Sequence, residues 1–264
     1  DHSSILGLPS EASQLFYALG PITPENMAWH RRNQYSSLET RRFTDEDMAI
    51  SEAMRFKIAG GGTICDVTPV GIGRDPLGLA RISRATGLNI VMGASYYVPV
   101  FHPPGTDEKT EDQFAEEIIR DITIGVGDTR IKSGVIGEIG CFYPLGNTEK
   151  RIIRASVTAS KETGCPITIH PGFDDRSPTE ILSLIIEAGG DPANVVMGHM
   201  SSILKDFTDL KEFAQMGCYI QDDLFAMEDS SLEYLDETDI MPTDAQRIER
   251  IEFLTNNGHL DQLI

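Results

Sequence analysis

Cysteine is scarce in this sequence and never clustered. Cys65, Cys141, Cys165 and Cys218 stand far apart, and no CxxC occurs. The pattern reads as reduced, mostly core thiols and leads to the expectation of a cytoplasmic protein. Positive charge is also in short supply: 22 Lys and Arg face 41 Asp and Glu, for a formal net charge of −19. No basic cluster interrupts the acidic background, which disfavours a nucleic-acid partner. No apolar run reaches the length of a membrane span and no secretory leader is evident, so no membrane partner is expected. A GxSxG elbow, internal repeats and low-complexity segments are all missing, which removes the usual serine-nucleophile reading.

What remains is ordinary globular material: 264 residues, 40% hydrophobic and 24% charged, with mean hydropathy −0.18. That is enough for one large domain or two small ones. Short, apolar, non-alternating strands are expected at 63–71, 89–98, 133–140, 166–172, 194–200 and 218–223. Helices are expected at 44–62, 75–87, 111–123, 148–164, 177–190, 204–217 and 243–258. Thr44 and Ser177 read as N-caps, and Gly87 reads as a helix stop. Strands of this kind suit a parallel sheet covered on both faces, so the fold class is α/β.

Two architectures fit the alternation: a doubly wound open sheet and a (β/α)8 barrel. Asp66, Ser95, Glu138, His170, His199 and Asp222 lie at or near the C-terminal ends of their strands. An open sheet gathers ligand residues at one switch point, whereas a barrel rim draws on every strand. The barrel is therefore favoured, with one strand expected to be missing at each end. Residues 1–264 read as one barrel domain: a rim loop with short helices over 1–43, then strands two to seven. The closing "LDQLI" reads as the start of a further strand. Sheet edges left open invite pairing or aggregation, so low solubility is expected and homo-oligomerisation is left open.

The strand in "GVIGEIG" ends on Glu138, a carboxylate that needs a partner if buried. His170 in "ITIHPG" and His199 in "VVMGHM" end apolar strands in the same way. Each histidine alone reads first as a hydrogen-bonded core residue. Together, two imidazoles and one carboxylate from successive strand ends suit zinc, manganese, iron or cobalt. Asp66 and Thr68 are candidates to bond a ligand or to orient a rim loop. One of Tyr96 and Tyr97 points into the pocket by strand alternation, and Tyr97 is favoured. Arg176 is a candidate clamp for an anionic substrate group, against a surface salt bridge. Asp222 or Asp223 would back a histidine ligand. Cys141 reads first as a packed core thiol, with a rim thiol as the alternative. Gly71-x-Gly73 begins a dinucleotide fingerprint, but Pro76 stands where the third glycine belongs.

"GVIGEIGC", "ITIHPG" and "VMGHM", with "GGGTICDVTPVGIGRDP" and "GCYIQDDLF", resemble the phosphotriesterase-related proteins of the amidohydrolase superfamily. The resemblance covers the chain from about residue 30 onward. It implies a binuclear metal site, most simply of zinc, in which Glu138 is the bridging, catalytic carboxylate. His170 and His199 would be ligands of the second metal. A bridging hydroxide would then attack an ester, lactone or amide of a small-molecule substrate. The family's His-x-His has no match here, His2 is not expected to be a ligand, and the final Asp would fall past Ile264. A second reading follows from those gaps: a barrel fragment that binds a ligand or partner without catalysis.

Overall fold

The computed structural model of the chain describes residues 9, 11–33, 36–41, 44–227 and 241–264. The expectation for His2 lies outside them. Contacts divide the chain into two compact units, Asp1–Asp45 with Leu224–Glu249 and Glu46–Asp223 with Arg250–Ile264. The first holds short helices, as expected for a proline-punctuated segment: α1 (Ala12–Leu19), α2 (Met27–Arg32) and α3 (Leu38–Arg41). Within it, buried His30 places Nδ1 2.7 Å from the Ser37 hydroxyl.

The second unit opens with α4 (Glu46–Ile58), β1 (Thr63–Asp66), α5 (Pro76–Thr86), β2 (Asn89–Ala94), α6 (Glu111–Thr123) and β3 (Val135–Gly140). It continues with α7 (Asn147–Thr163), β4 (Ile167–His170), α8 (Ser177–Glu187), β5 (Val195–Met197), α9 (Met200–Ile203), α10 (Phe207–Ala214) and β6 (Tyr219–Ile220). Helix α11 (Asp244–Asn256) begins in the first unit and ends in the second. The six strands form one sheet in chain order, every neighbouring pair parallel. A doubly wound sheet reverses its order at a switch point. This sheet does not, so it is the arc of a (β/α)8 barrel.

Packing follows from periodicity. Ile136, Ile139 and Ile169 from the sheet meet Ile153, Ile181 and Leu182 from α7 and α8 in one core, each no more than 1% exposed. Burying such a side chain is worth about 1.5–3 kcal/mol. Helix ends carry local signals. The Asp75 carboxylate accepts from the N–H groups of Leu77 and Gly78 at 3.1 and 3.0 Å, opening α5. Thr110 and Gln113 form a capping box at α6. Gly87 and Gly164 close α5 and α7 in the left-handed conformation.

Several boundaries differ from the sequence reading. The strands other than β3 are shorter chiefly because their C-terminal residues leave the ladder for the rim, whereas β3 keeps its end at Gly140 and starts two residues later than expected. The helix expected over 204–217 is α10, preceded by a separate turn, α9, that starts directly after His199. Ser177 is the first residue of α8 and not its cap; its hydroxyl instead accepts from the Gly172 N–H at 2.9 Å. Thr44 stands two residues ahead of α4. Leu263 forms a parallel bridge to Ile220, and the Ile264 N–H donates to the Ile220 carbonyl at 3.0 Å. The apolar pair that ends the chain thus extends the sheet beyond β6. No helix among the described residues is long and apolar enough to cross a membrane.

Candidate metal centre

Glu138 owes its place to an irregularity in β3. Ile136 pairs with Ile167 and Ile139 with Ile169, three steps on β3 against two on β4. The extra residue makes a bulge, which re-aims a side chain that a regular strand would place elsewhere. Gly137 makes the bulge sterically feasible: its φ is +116°, and a Cβ there would sit 2.2 Å from the Thr168 carbonyl oxygen. The loop after β3 is held by a buried acid. Glu149 of α7 accepts from the N–H groups of Phe142 and Gly146 at 2.6 and 2.7 Å.

His170 is the last residue of β4. His199 lies two residues beyond β5 with φ +58°, a left-handed conformation that turns the chain sharply into α9. Glu138 Oε1 lies 3.3 Å from His199 Nε2, and Oε2 lies 3.6 Å from His170 Nδ1. The two imidazole centroids are 4.8 Å apart, nearly edge to face. Asp223 Oδ2 is 2.8 Å from His199 Nδ1, although the ring N–H is not well aimed at it. The same oxygen accepts from Gln221 Nε2 at 2.7 Å.

The environment sets the two histidines apart. Burial holds His170 down at about 4, with Glu138 opposing and His199 adding to the depression. Burial acts to lower His199 too, but Asp223 and Glu138 outweigh it and raise the group to about 10.

Tyr97, not Tyr96, faces the centre. Its hydroxyl lies 3.4 Å from His170 Nε2, and its ring centroid lies 5.0 Å from that of the imidazole. Tyr96 turns into the core, where it donates to Glu117 and accepts from Lys109. Asp223, one residue past Asp222, is the acid behind His199; Asp222 pairs with Arg250 at 2.9 Å. Ser95 turns to Ser156 at 3.3 Å, away from the three converging residues. Asp66 accepts from the Thr68 N–H at 3.0 Å, a local turn. The exposed guanidinium of Arg176 forks onto Asp174 at 2.8 and 2.6 Å and stacks 4.6 Å above Tyr143. It borders a groove of about 560 Å³ shared with Asp175, Thr179, Leu204 and Phe213, which none of Glu138, His170 and His199 lines. Cys141 is buried, as expected of a packed thiol. Glu149 and Arg250 escaped the sequence reading. A signal existed for the second: Arg250 shares a helical face with fully buried Leu254.

Glu138, His170 and His199 each offer one ligand atom, all within 4.8 Å of one another. The donor chemistry fits a divalent ion such as zinc. Among the described residues, the ion pairs of Glu138 are with those two histidines and none is with a lysine or arginine. The rear nitrogen of His199 faces a carboxylate, the usual support of a metal-binding imidazole.

Known proteins are similar to this chain in sequence and in fold. An N-acetyltaurine hydrolase of Salmo salar is 40% identical over 248 residues, 94% of this chain and 71% of that protein. A phosphotriesterase-related protein of Nematostella vectensis is 39% identical over 267 residues, covering 100% and 76%. The solved structure of a resiniferatoxin-binding protein from Rhodobacter sphaeroides superposes with a TM-score of 0.90 at 31% identity, covering 97% of this chain and 71% of that one. Residues 15–264 match the Phosphotriesterase family. With its barrel arc and matching sequence, the chain belongs to the phosphotriesterase family.

Proposed function

We propose that the chain is a metal-dependent hydrolase that cleaves an ester, lactone or amide bond of a small molecule at the centre around Glu138. Its standing as a hydrolase rests on its family and its hydrolase relatives. The finer reading is carried by one observation: Glu138, His170 and His199 converge from three adjacent strand ends. Divalent ions held there, zinc first, with manganese, iron or cobalt as alternatives, would supply Lewis acidity and an activated bridging hydroxide.

The chain's own residues have separable tasks in this reading. Glu138 turns one oxygen toward each histidine, which suits a carboxylate shared between two ions. Asp223 orients the His199 ring and leaves Nε2 as the donor facing Glu138. Tyr97 sets a hydroxyl beside His170, placed to donate to a substrate oxygen. Asp66 serves at the rim. Arg176 contacts substrate only by releasing Asp174. Relatives named for hydrolysis of N-acetyltaurine favour an amide as the scissile bond. A cytoplasmic setting is supported by four unpaired thiols.

Elemental analysis of purified protein, with an assay on N-acetyltaurine, a simple ester and a lactone, tests the proposal. Bound divalent metal that is lost in Glu138→Gln, together with turnover of one substrate, supports it. Wild-type metal content in Glu138→Gln overturns the centre. Bound metal without turnover favours a second reading, ligand binding alone, for which the resiniferatoxin-binding protein is the precedent.

A further inference from the structure

Arg250 of α11 is a buried cation, 4% exposed, that contacts none of Glu138, His170 and His199 directly. Its Nε donates to Asp222 Oδ2 at 2.9 Å and Nη2 donates to Asp222 Oδ1 at 3.2 Å. Nη2 also donates to the Met200 carbonyl at 3.0 Å, and Nη1 donates to the Leu204 carbonyl. Met200 directly follows His199, and Asp222 directly precedes Asp223. One guanidinium therefore grips the segment that starts at His199 and the segment that carries the acid behind it.

The sheet supplies little of this alignment. β5 is three residues long and β6 two, and their ladder ends at Met197 opposite Ile220. Past that point the Met200 N–H donates to the Gln221 carbonyl at 3.1 Å. Both segments then leave regular conformation, with φ +58° at His199 and +62° at Leu224.

We propose that Arg250 is a positioning residue: by bracing the two segments it sets His199 against Asp223 and so shapes the metal centre. This inference rests on the metal-centre reading above. The planar fork explains the choice of arginine. Lysine would keep the charge but, as a point donor, would not reach a bidentate carboxylate and two carbonyls together. Stability alone does not account for the pair, because replacing a buried ion pair with apolar residues is often neutral or stabilising.

The test compares wild type, Arg250→Lys, the double variant Arg250→Met/Asp222→Leu, and Glu138→Gln. The double variant removes both charges at once and keeps the question open to answer if lysine fails to fold. Cobalt(II) affinity is measured by chelator competition, and the visible spectrum of the cobalt form is recorded. Hydrogen exchange of the metal-free proteins is followed by mass spectrometry. Arg250→Lys and the double variant are expected to bind cobalt about 10–100-fold more weakly with an altered spectrum. Exchange is expected to accelerate about tenfold or more in both 199–204 and 221–227, with α7 and α8 unchanged. Wild-type affinity and spectrum in both folded variants, alongside loss of binding in Glu138→Gln, overturn the inference and leave the metal centre standing. If wild type binds no cobalt, the centre falls, and exchange alone decides: acceleration confined to both segments upholds the brace. Unchanged or globally raised exchange overturns it.

Discussion

Asp223 stands behind His199 on the side of the ring opposite Glu138, with Oδ2 2.8 Å from Nδ1 while Glu138 Oε1 lies 3.3 Å from Nε2. The imidazole is thereby held between two carboxylates. Replacing Asp223 with asparagine is expected to weaken zinc or cobalt binding about 10–100-fold, because the supporting acid orients the ring and raises its basicity. Metal titration against a competing chelator measures the change. An affinity within twofold of wild type would remove Asp223 from the centre.

The two histidines impose opposite pH dependences on the metal-free protein. His199 is raised from 6.5 to about 10, so its stabilising contribution is complete below about pH 6.5 and is lost as pH rises through about 10. His170 is lowered from 6.5 to about 4, so its contribution is present above about pH 6.5 and is lost as pH falls through about 4. Thermal midpoints of chelator-stripped protein should peak near pH ~6.5. His199→Gln should flatten the alkaline limb and His170→Gln the acid limb. Limbs unaffected by either substitution would show that other groups set the profile.

Gly137→Ala places a Cβ 2.2 Å from the Thr168 carbonyl oxygen at a φ of +116°. Strain and overpacking together should cost about 2–5 kcal/mol in urea unfolding. Gly87→Ala, also at positive φ but with nothing within 4 Å, should cost only about 1–2 kcal/mol, the penalty of the left-handed conformation alone. Equal losses at the two positions would contradict the crowding at the bulge.

Glu149 is 3% exposed and accepts two backbone N–H groups of the loop after β3. Glu149→Ala strands both donors and should lower stability by about 2–4 kcal/mol, read by chemical denaturation. Glu149→Gln keeps one acceptor oxygen and should lose less. The reverse ranking would point to charge and not donor satisfaction.

The Tyr97 hydroxyl lies 3.4 Å from His170 Nε2 at the edge of the centre. Tyr97→Phe should leave stability within about 0.5 kcal/mol, as for a minor change away from the core. Turnover should fall about tenfold, the loss of roughly one hydrogen bond in the transition state. Steady-state kinetics on a hydrolysed substrate decides this, and unchanged turnover removes the hydroxyl from the reaction.

Much of this was legible in the order of residues. Parallel strands buried on both faces must be apolar throughout, so "GVIGEIG", "ITIH" and "VVM" announce themselves beside amphipathic helices such as Glu111–Thr123. Polar residues interrupting such strands at their C-terminal ends mark the rim, because a barrel interior has no other place for them. Strand-end polarity alone overcounted the site, since Ser95 and Asp222 carry the same signal but find partners in Ser156 and Arg250.

Local pattern thus determined which segments are strands and helices, which ends of the strands face the rim, and the carboxylate and imidazoles available there, since burial and periodicity are properties of short stretches. Tertiary structure alone decided that a bulge in β3 turns Glu138 toward both histidines, that Asp223 and not Asp222 backs His199, and that Arg250 reaches from a distant helix to hold Met200, Leu204 and Asp222. Those choices depend on register shifts and on a long flexible side chain crossing between elements. Both are fixed by three-dimensional packing: the four-residue spacing of Arg250 and Leu254 marks the arginine as facing the core, but neither its partners nor the register shift can be read from residue spacing.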